Sequence, residues 1–142
     1  MSDFAVFMAG NAAKGDNVKY VASKRFAVKG KPVEWEIKAV DSDMDEAIRK
    51  ECTKKVPVPG GKRGQYTQEV DTDKYISKMC VTCVVYPNLN DAELQDSYGV
   101  KSGEALLKKM LLPGEYIELK TKVMEVNGYD MSMEELVDEA KN

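Results

Sequence analysis

The sequence predicts an α+β fold, with an N-terminal β-hairpin or small antiparallel sheet packed on a C-terminal bundle of four to five helices. Apolar and polar residues alternate between residues 25 and 38, whereas apolar residues recur at helical spacing from residue 71 onward. The chain has 142 residues, 43% of them apolar and 32% charged, which suits one domain. We therefore expect a flexible N-terminal segment over residues 1–17 and a single domain over residues 18–142.

The N-terminal segment combines apolar side chains with turn-forming residues. Its apolar cluster, which precedes several Gly, Asn and Asp residues, consists of Phe4, Val6, Phe7 and Met8. The cluster either docks on the domain or binds a partner, and the sequence leaves both alternatives open.

The hairpin is the clearest local prediction. Residues 33–38 alternate between apolar and charged side chains, as do residues 25–28, and the Lys29–Pro32 segment between them contains turn-forming residues. Residues 18–20 can extend the first strand. We interpret Trp35 as the anchor of the apolar face.

A helix and a long connector are expected next. Ser42, followed by Asp45, predicts a helix N-cap, and the helix would bury a stripe formed by Met44, Ile48 and Cys52. Residues 54–70 predict a basic loop, because their prolines and glycines disfavour a helix or a central strand. Such a loop can bind an acidic partner.

The remaining chain predicts helices. One begins near residue 71, although residues 81–86 are also compatible with a strand, and a short segment covers residues 91–97. Helices over 104–112 and 113–127 meet at Pro113, which suits the first position of a helix. A last amphipathic segment places on one side Met133, Leu136, Val137 and Ala140.

Composition narrows the classes of function. The chain has no histidine, which excludes Ser-His-Asp and Cys-His catalysis and zinc sites with histidine ligands. No stretch approaches the ~20 apolar residues of a membrane span, and the N-terminus lacks the features of a secretory signal. An enzyme could still use carboxylates, Lys, Tyr or Cys, but the missing histidine favours a protein that binds over one that catalyses. We expect a cytoplasmic protein without cofactor or metal, and non-enzymatic.

Two alternatives remain open. Cys80 and Cys83 form a CxxC, which occurs in thiol and metal-binding proteins, but it lies in an apolar helical stripe and suits two buried thiols better. The basic loop could give weak nucleic-acid binding. This second alternative is disfavoured, since residues 1–70 carry 13 Lys and Arg against 10 Asp and Glu, and residues 71–142 carry 8 against 14.

Most of the chain resembles a known family. Four segments are similar to phage tail assembly chaperones of the XkdN-like type. They are residues 18–26, residues 30–37, residues 84–100 with the run Val-Val-Tyr-Pro-Asn-Leu-Asn-Asp, and residues 106–116 with the run Met-Leu-Leu-Pro-Gly-Glu-Tyr. The resemblance covers about residues 4–130. The chain differs most from the family at the basic loop and the CxxC, and the resemblance implies no role for them.

The resemblance implies a phage or prophage protein that binds the tape-measure protein during tail tube assembly and is absent from the mature virion. It also implies the tail tube protein and a frameshifted longer form of the chain as further partners, and a homo-oligomer is compatible with it. Amphipathic helices of a partner would fit a groove between residues 104–112 and 114–127. We predict that the partner-binding residues are Leu107, Met110, Leu111, Tyr116, Ile117 and Met124, with an edge of the β-hairpin as a second possibility.

Overall fold

The computed structural model describes residues 3–13 and 15–129. Within them it has seven short strands, namely β1 (Val18–Tyr20), β2 (Ala27–Val28), β3 (Lys31–Pro32), β4 (Trp35–Ile37), β5 (Thr53–Pro57), β6 (Tyr66–Val70) and β7 (Val84–Tyr86). They form three antiparallel sheets: a three-stranded sheet in the order β1-β4-β7, and the two-stranded sheets β2-β3 and β5-β6.

Five α-helices follow or separate these strands in the described part of the chain. They are α1 (Ser42–Glu51), α2 (Thr72–Cys83), α3 (Ala92–Ser97), α4 (Gly103–Met110) and α5 (Pro113–Val126). Strands therefore lie mostly in the N-terminal half and helices mostly in the C-terminal half, which confirms the predicted α+β fold. No helix in this part of the chain is long and apolar enough to cross a membrane.

The predicted N-terminal hairpin is confirmed, with an interruption in its first arm. Val28 pairs with Lys31 across a turn in which Lys29 and Gly30 have φ angles of 52° and 79°, the left-handed geometry of a two-residue hairpin turn. Farther from the turn, Tyr20 pairs with Trp35. Residues 21–26 thus lie opposite residues 33–34 and form a loop, called below the interruption loop.

The start of α1 differs from the prediction. Asp41, not Ser42, is the N-cap, and its carboxylate accepts a 2.9 Å hydrogen bond from the N–H of Met44. Ile48 and Cys52 are buried as predicted, but Met44 is 45% exposed. It borders an open groove of about 150 Å³ that Ala47 and Val81 also line. The predicted buried stripe therefore begins one turn later.

The predicted loop over residues 54–70 is wrong, because most of this segment forms the β5-β6 hairpin. Thr53 pairs with Val70 and Pro57 pairs with Tyr66, with the tip between them. The glycines that suggested a loop serve this tip, where Gly60 and Gly64 have φ angles of 73° and 88°. The two strands have no sheet neighbour on either side, so the proline is tolerated at an edge.

The C-terminal helices agree closely with the prediction. Asp71 caps α2 and accepts a hydrogen bond from Lys74. The ambiguous segment 81–86 contains both structures, since α2 ends at Cys83 and β7 begins at Val84. Pro113 is the first residue of α5, and Gly128, with a φ angle of 93°, follows its end.

One core joins the sheet to the helices. Its largest fully buried aromatic residue is Trp35, at 1% exposure, as predicted. The sheet contributes Trp35, Ile37 and Val84, whereas the larger share comes from the helices, namely Ile48, Tyr75, Ile76, Met79, Cys80, Cys83, Leu106, Leu107, Met110, Tyr116, Leu119, Val123 and Met124.

The two ends of the chain carry predictions that the structure leaves open. Asp3–Phe7 forms a 3-10 helix without buried residues, and the flexibility of residues 1–17 stays a prediction, as does the extent of the domain. The predicted amphipathic segment with Met133, Leu136, Val137 and Ala140 lies outside the described residues.

Candidate functional site

Hydrogen bonds fix the interruption loop to the junction between α4 and α5. The N–H of Leu112 donates to the Glu115 carboxylate at 2.8 Å, which caps α5 although residue 112 has no polar side chain. The Arg25 guanidinium donates to the carbonyl of Met110, and a hydrogen bond from Ser23 helps to lower the pKa of Glu115, after the larger effect of the Leu112 N–H. The bonds made by Arg25 and Ser23 therefore hold the loop against the junction.

Most of the residues predicted to bind a partner lie in the core. Leu107, Met110, Leu111, Tyr116 and Met124 are buried, whereas Ile117 is 53% exposed. The apolar faces of α4 and α5 that predicted a groove are covered by each other and by α2. A partner could reach the five buried residues only if the core opened. Their role in binding stays a prediction, and Ile117 is the member of the set that a partner can contact directly.

Exposed apolar side chains occur on the interruption loop and on the residues of the junction. Val21 belongs to the interruption loop, Leu112 immediately precedes α5, and Ile117 lies on the first turns of α5. Their exposed fractions are 37%, 55% and 53%. We call these three residues the junction surface. The Leu-Leu-Pro sequence at 111–113 signals the helix boundary, but it does not show that Leu111 is buried and Leu112 is exposed.

A second exposed apolar group lies near the N-terminus. Phe4 and Phe7 are 73% and 78% exposed, and Val6 and Met8 are about half exposed. The Asn11 amide donates to the carbonyl of Ala5 at 3.0 Å, so local bonds order the turn without burying the aromatic rings. Of the two alternatives left open by the sequence, the structure shows the undocked one.

The three-stranded sheet has β1 and β7 at its edges. On β7, Val85 and Tyr86 are 37% and 54% exposed. The second predicted mode of binding, at an edge of the N-terminal hairpin, would use β1, because β7 already pairs with the other hairpin strand, β4. Strand β1 has only three residues, so the addition of a strand there would make few backbone hydrogen bonds.

The cysteines are buried and reduced. Cys80 and Cys83 are 0% exposed and Cys52 is 2% exposed. Burial raises the pKa of Cys80 to about 12 and also raises the pKa of Cys83, against a lowering effect of the Asn127 side chain. Thiols with these properties are poor nucleophiles near neutral pH. Within residues 3–13 and 15–129, no group of three or more acidic or cysteine side chains is arranged to hold a metal.

The structure also contains a polar network that the sequence did not predict. Arg49 donates to Asp45 at 2.9 Å and to the hydroxyls of Tyr75 and Tyr129 at 3.2 Å, and its guanidinium lies 4.3 Å from the centroid of the Tyr75 ring. The Tyr75 hydroxyl in turn donates to Asp45. Burial and the Asp45 bond raise the pKa of Tyr75. Only the spacing of Asp45 and Arg49, four residues apart on a helix, signals the pair in advance.

Basic side chains line the β5-β6 hairpin. Residues 53–70, which we call the basic hairpin, carry Lys54, Lys55, Lys62 and Arg63, with Glu69 as the one acidic residue. All four cations are exposed. The cations that the sequence placed in a loop therefore lie on and between two paired strands.

Comparisons with known proteins agree with this fold. The family model described as Phage XkdN-like tail assembly chaperone protein matches residues 4–141. Two proteins of Bacillus subtilis (strain 168) are similar over 142 residues. The uncharacterized protein YqbN is 32% identical, with 99% of this chain and 93% of YqbN covered, and the phage-like element PBSX protein XkdN is 28% identical, with 99% and 94% covered.

A solved structure extends the similarity to three dimensions. The crystal structure of the protein YqbN matches with a TM-score of 0.75 and 27% identity, covering 92% of this chain and 99% of that chain. The family model spans nearly all of the sequence, including the segments that carried the resemblance. The chain belongs to the XkdN-like family of phage tail assembly chaperones.

Proposed function

We propose that this protein acts without catalysis as a chaperone for the tape-measure protein, keeping it soluble while the tail tube assembles around it. The observation that carries the proposal is membership of the tail assembly chaperone family, matched over residues 4–141. A client with exposed apolar helical faces aggregates unless those faces are covered. The tail tube protein, a frameshifted longer form and a second copy of the chain are further partners that the family resemblance implies.

We further propose the junction surface as the place where the client binds. Val21, Leu112 and Ile117 are exposed on segments that hydrogen bonds hold together. An apolar surface with a fixed backbone can accept one face of an amphipathic helix at a small entropic cost. The proposed binding site is therefore the junction surface, not the groove predicted between residues 104–112 and 114–127. Of the six residues predicted to bind a partner, it retains Ile117.

The buried thiols give the alternative function no support. A thiol or metal-binding protein would need the sulfur atoms of Cys80 and Cys83 within reach of a substrate or ion, and both residues are 0% exposed.

Co-expression with the tape-measure protein of the same prophage tests the proposal. The wild-type chain should raise the soluble fraction of the client and co-purify with it. The double variant Leu112→Asp/Ile117→Asp should lose at least about tenfold in affinity, because covering these two half-exposed aliphatic side chains on binding contributes about 1.5 kcal/mol or more.

The double variant Val28→Asp/Met44→Asp is a matched control, since it adds two carboxylates at exposed apolar positions on the first hairpin and on α1. It should bind as the wild type does. If the wild-type chain changes neither the solubility nor the recovery of the client, the chaperone function is wrong. If only the junction variant fails to weaken binding, the function stands and the binding surface is wrong.

A further inference from the structure

Strand β6 directs a regular set of backbone groups away from its partner strand. At one end of the β5-β6 ladder the N–H of Val58 donates to the carbonyl of Gln65 at 3.2 Å, and at the other end the N–H of Asp71 donates to the carbonyl of Cys52 at 2.8 Å. Bonded and non-bonded pairs alternate along an antiparallel ladder. Three residues of β6 therefore turn their N–H and C=O groups away from β5. They are Tyr66, Gln68 and Val70.

This outer edge of β6 is accessible. Strand β6 pairs only with β5 in the described part of the chain. Among residues 3–13 and 15–129, no backbone hydrogen bond reaches the outward groups of Tyr66, Gln68 or Val70. Tyr66 is 61% exposed, and residues 67–69 are exposed as well. Another strand can therefore approach the edge without displacing a neighbour.

The opposite edge of the basic hairpin is protected. On β5 the outward positions include Lys55 and Pro57, and proline has no N–H to donate. Lysine and proline on an edge strand are common means of preventing pairing with another chain. Strand β6 contains no proline and carries one charged residue, Glu69. The hairpin is thus blocked on β5 and open on β6.

The β6 edge is complementary to a second copy of itself. In an antiparallel pair centred on Gln68, that residue lies opposite Gln68 of the second copy, and Tyr66 lies opposite Val70 on each side. Each of these pairs exchanges two hydrogen bonds, about six in all, and a register shifted toward either end engages fewer outward groups. Between them Thr67 lies opposite Glu69, so no like charges face each other.

Charges beyond the ends of β6 favour the same arrangement. The antiparallel pair brings the hairpin tip of one copy, with Lys62 and Arg63, beside the start of α2 in the other copy. Asp71 and Asp73 lie there, against the single cation Lys74. Within the two described ranges, no ion pair engages Lys62, Arg63 or Asp73. The tip and the start of α2 therefore carry opposite net charge.

We propose that two copies of this chain associate through the outer edges of β6, in an antiparallel pair centred on Gln68. The two basic hairpins then form one four-stranded sheet in the order β5-β6-β6-β5. Three residue pairs bury a small area, so the dimer is weak and forms at micromolar concentrations. The inference does not depend on binding of a client, since it rests on the backbone groups of β6 and on the charges at its ends.

Sedimentation of the full chain tests for this dimer. The chain has a mass of 15.8 kDa. It should sediment as a monomer near about 1 µM and approach twice that mass by about 200 µM.

Variants at the centre of the pair test the interface. Gln68→Lys and Gln68→Glu each place like charges opposite one another at an exposed position, and each should raise the dissociation constant at least about threefold in about 0.05 M salt. An equimolar mixture of the two variants should restore the dimer, because opposite charges then meet. Lys55→Gln is the control, since it changes the charge by the same amount on the same face of the hairpin, at the protected edge.

Disulfide formation tests the register. The Cα atoms of a bonded pair lie about 5.5 Å apart, which a disulfide can span, and the native thiols are buried. Under mild oxidation, Gln68→Cys should therefore form a covalent dimer. Lys55→Cys, opposite residue 68 in the same hairpin, should cross-link at least about tenfold more slowly, because the pairing keeps the two β5 strands on the outside of the four-stranded sheet.

Three results would overturn the proposal. A wild-type chain that remains monomeric at about 200 µM would show that the edge does not pair with itself. A dimer with the same dissociation constant in Gln68→Lys and Gln68→Glu would have its interface elsewhere. Equal rates of cross-linking for Gln68→Cys and Lys55→Cys would show that the two copies do not meet at β6. Each result leaves the chaperone function standing, since none of these measurements includes a client.

Discussion

Asp41 and Ser42 could each be the N-cap of α1, and in the structure the N-cap is Asp41. Asp41→Ala should lower the free energy of unfolding by about 1 kcal/mol, because the Met44 N–H would lose its acceptor. Ser42→Ala should be close to neutral, within about 0.5 kcal/mol. Urea denaturation followed by the fluorescence of the single Trp35 measures both changes. A larger loss for Ser42→Ala would restore the cap that the sequence predicted.

At the residue scale, the type of a residue predicts whether it can cap a helix, but it does not predict at which residue the helix begins. Asp, Ser and Asp at residues 41–43 are all suitable N-caps. Which of them is the cap depends on the residue at which the backbone changes from extended to helical geometry. The same limit applies to the predicted site. Leu111 and Leu112 are identical in type and adjacent, yet they are 5% and 55% exposed, because both have extended backbone, in which consecutive side chains point to opposite sides. Composition could not separate them.

The contact between α2 and the start of α4 depends on a glycine. A Cβ atom at Gly103 would lie 2.7 Å from Cγ1 of Val81, a branched side chain with little freedom to move. Gly103→Ala should therefore cost about 1–3 kcal/mol in the free energy of unfolding.

A double-mutant cycle checks this prediction. In the Val81→Ala background, the added methyl group has room, so Gly103→Ala should cost much less there, with a coupling energy of about 1 kcal/mol or more. Gly114→Ala is the control, since a Cβ atom there meets nothing within 4 Å. Equal costs of Gly103→Ala in both backgrounds would show that the Val81 contact is not the cause.

At the element scale, periodicity located the long elements that have a buried face, whereas the strands that were missed, β5 and β6, have no fully buried residue. Helices α2 and α5 and the Trp35 strand bury a regular apolar side, so periodicity located them within a few residues. Residues 66–69 of β6 are all exposed, and their pairing with β5 leaves no apolar alternation to detect. The β5-β6 ladder is held by backbone hydrogen bonds and by the glycines of its turn. Backbone hydrogen bonds leave no mark in the sequence, and glycines are equally common in loops.

The whole molecule should lose stability in alkaline solution. Burial raises the pKa of Cys80 to about 12, from an ordinary value of 9.0. Above about pH 9 the unfolded chain releases this proton while the folded chain keeps it, so the free energy of unfolding falls as the pH rises, by up to about 1.4 kcal/mol per pH unit. The raised pKa values of Cys83 and Tyr116 act in the same direction.

The variant Cys80→Ala isolates this contribution. Denaturation in urea under reducing conditions, repeated between about pH 8 and pH 10.5, should show the stability advantage of the wild type over Cys80→Ala shrinking as the pH increases. A constant difference would indicate that the Cys80 thiol titrates in the folded protein as it does in the unfolded one.

The order of strands in the three-stranded sheet has a consequence for how the protein is made. The central strand, β4, has one neighbour that precedes it and another, β7, that lies at residues 84–86, while core residues continue to Met124. At a synthesis rate of about 5–20 residues per second, roughly 4–17 s separate the appearance of β4 from that of the last core residue. The nascent polypeptide must emerge from the ribosome with its central strand incompletely paired. An assembly factor for other proteins is thus itself exposed to aggregation until its last helix has been translated.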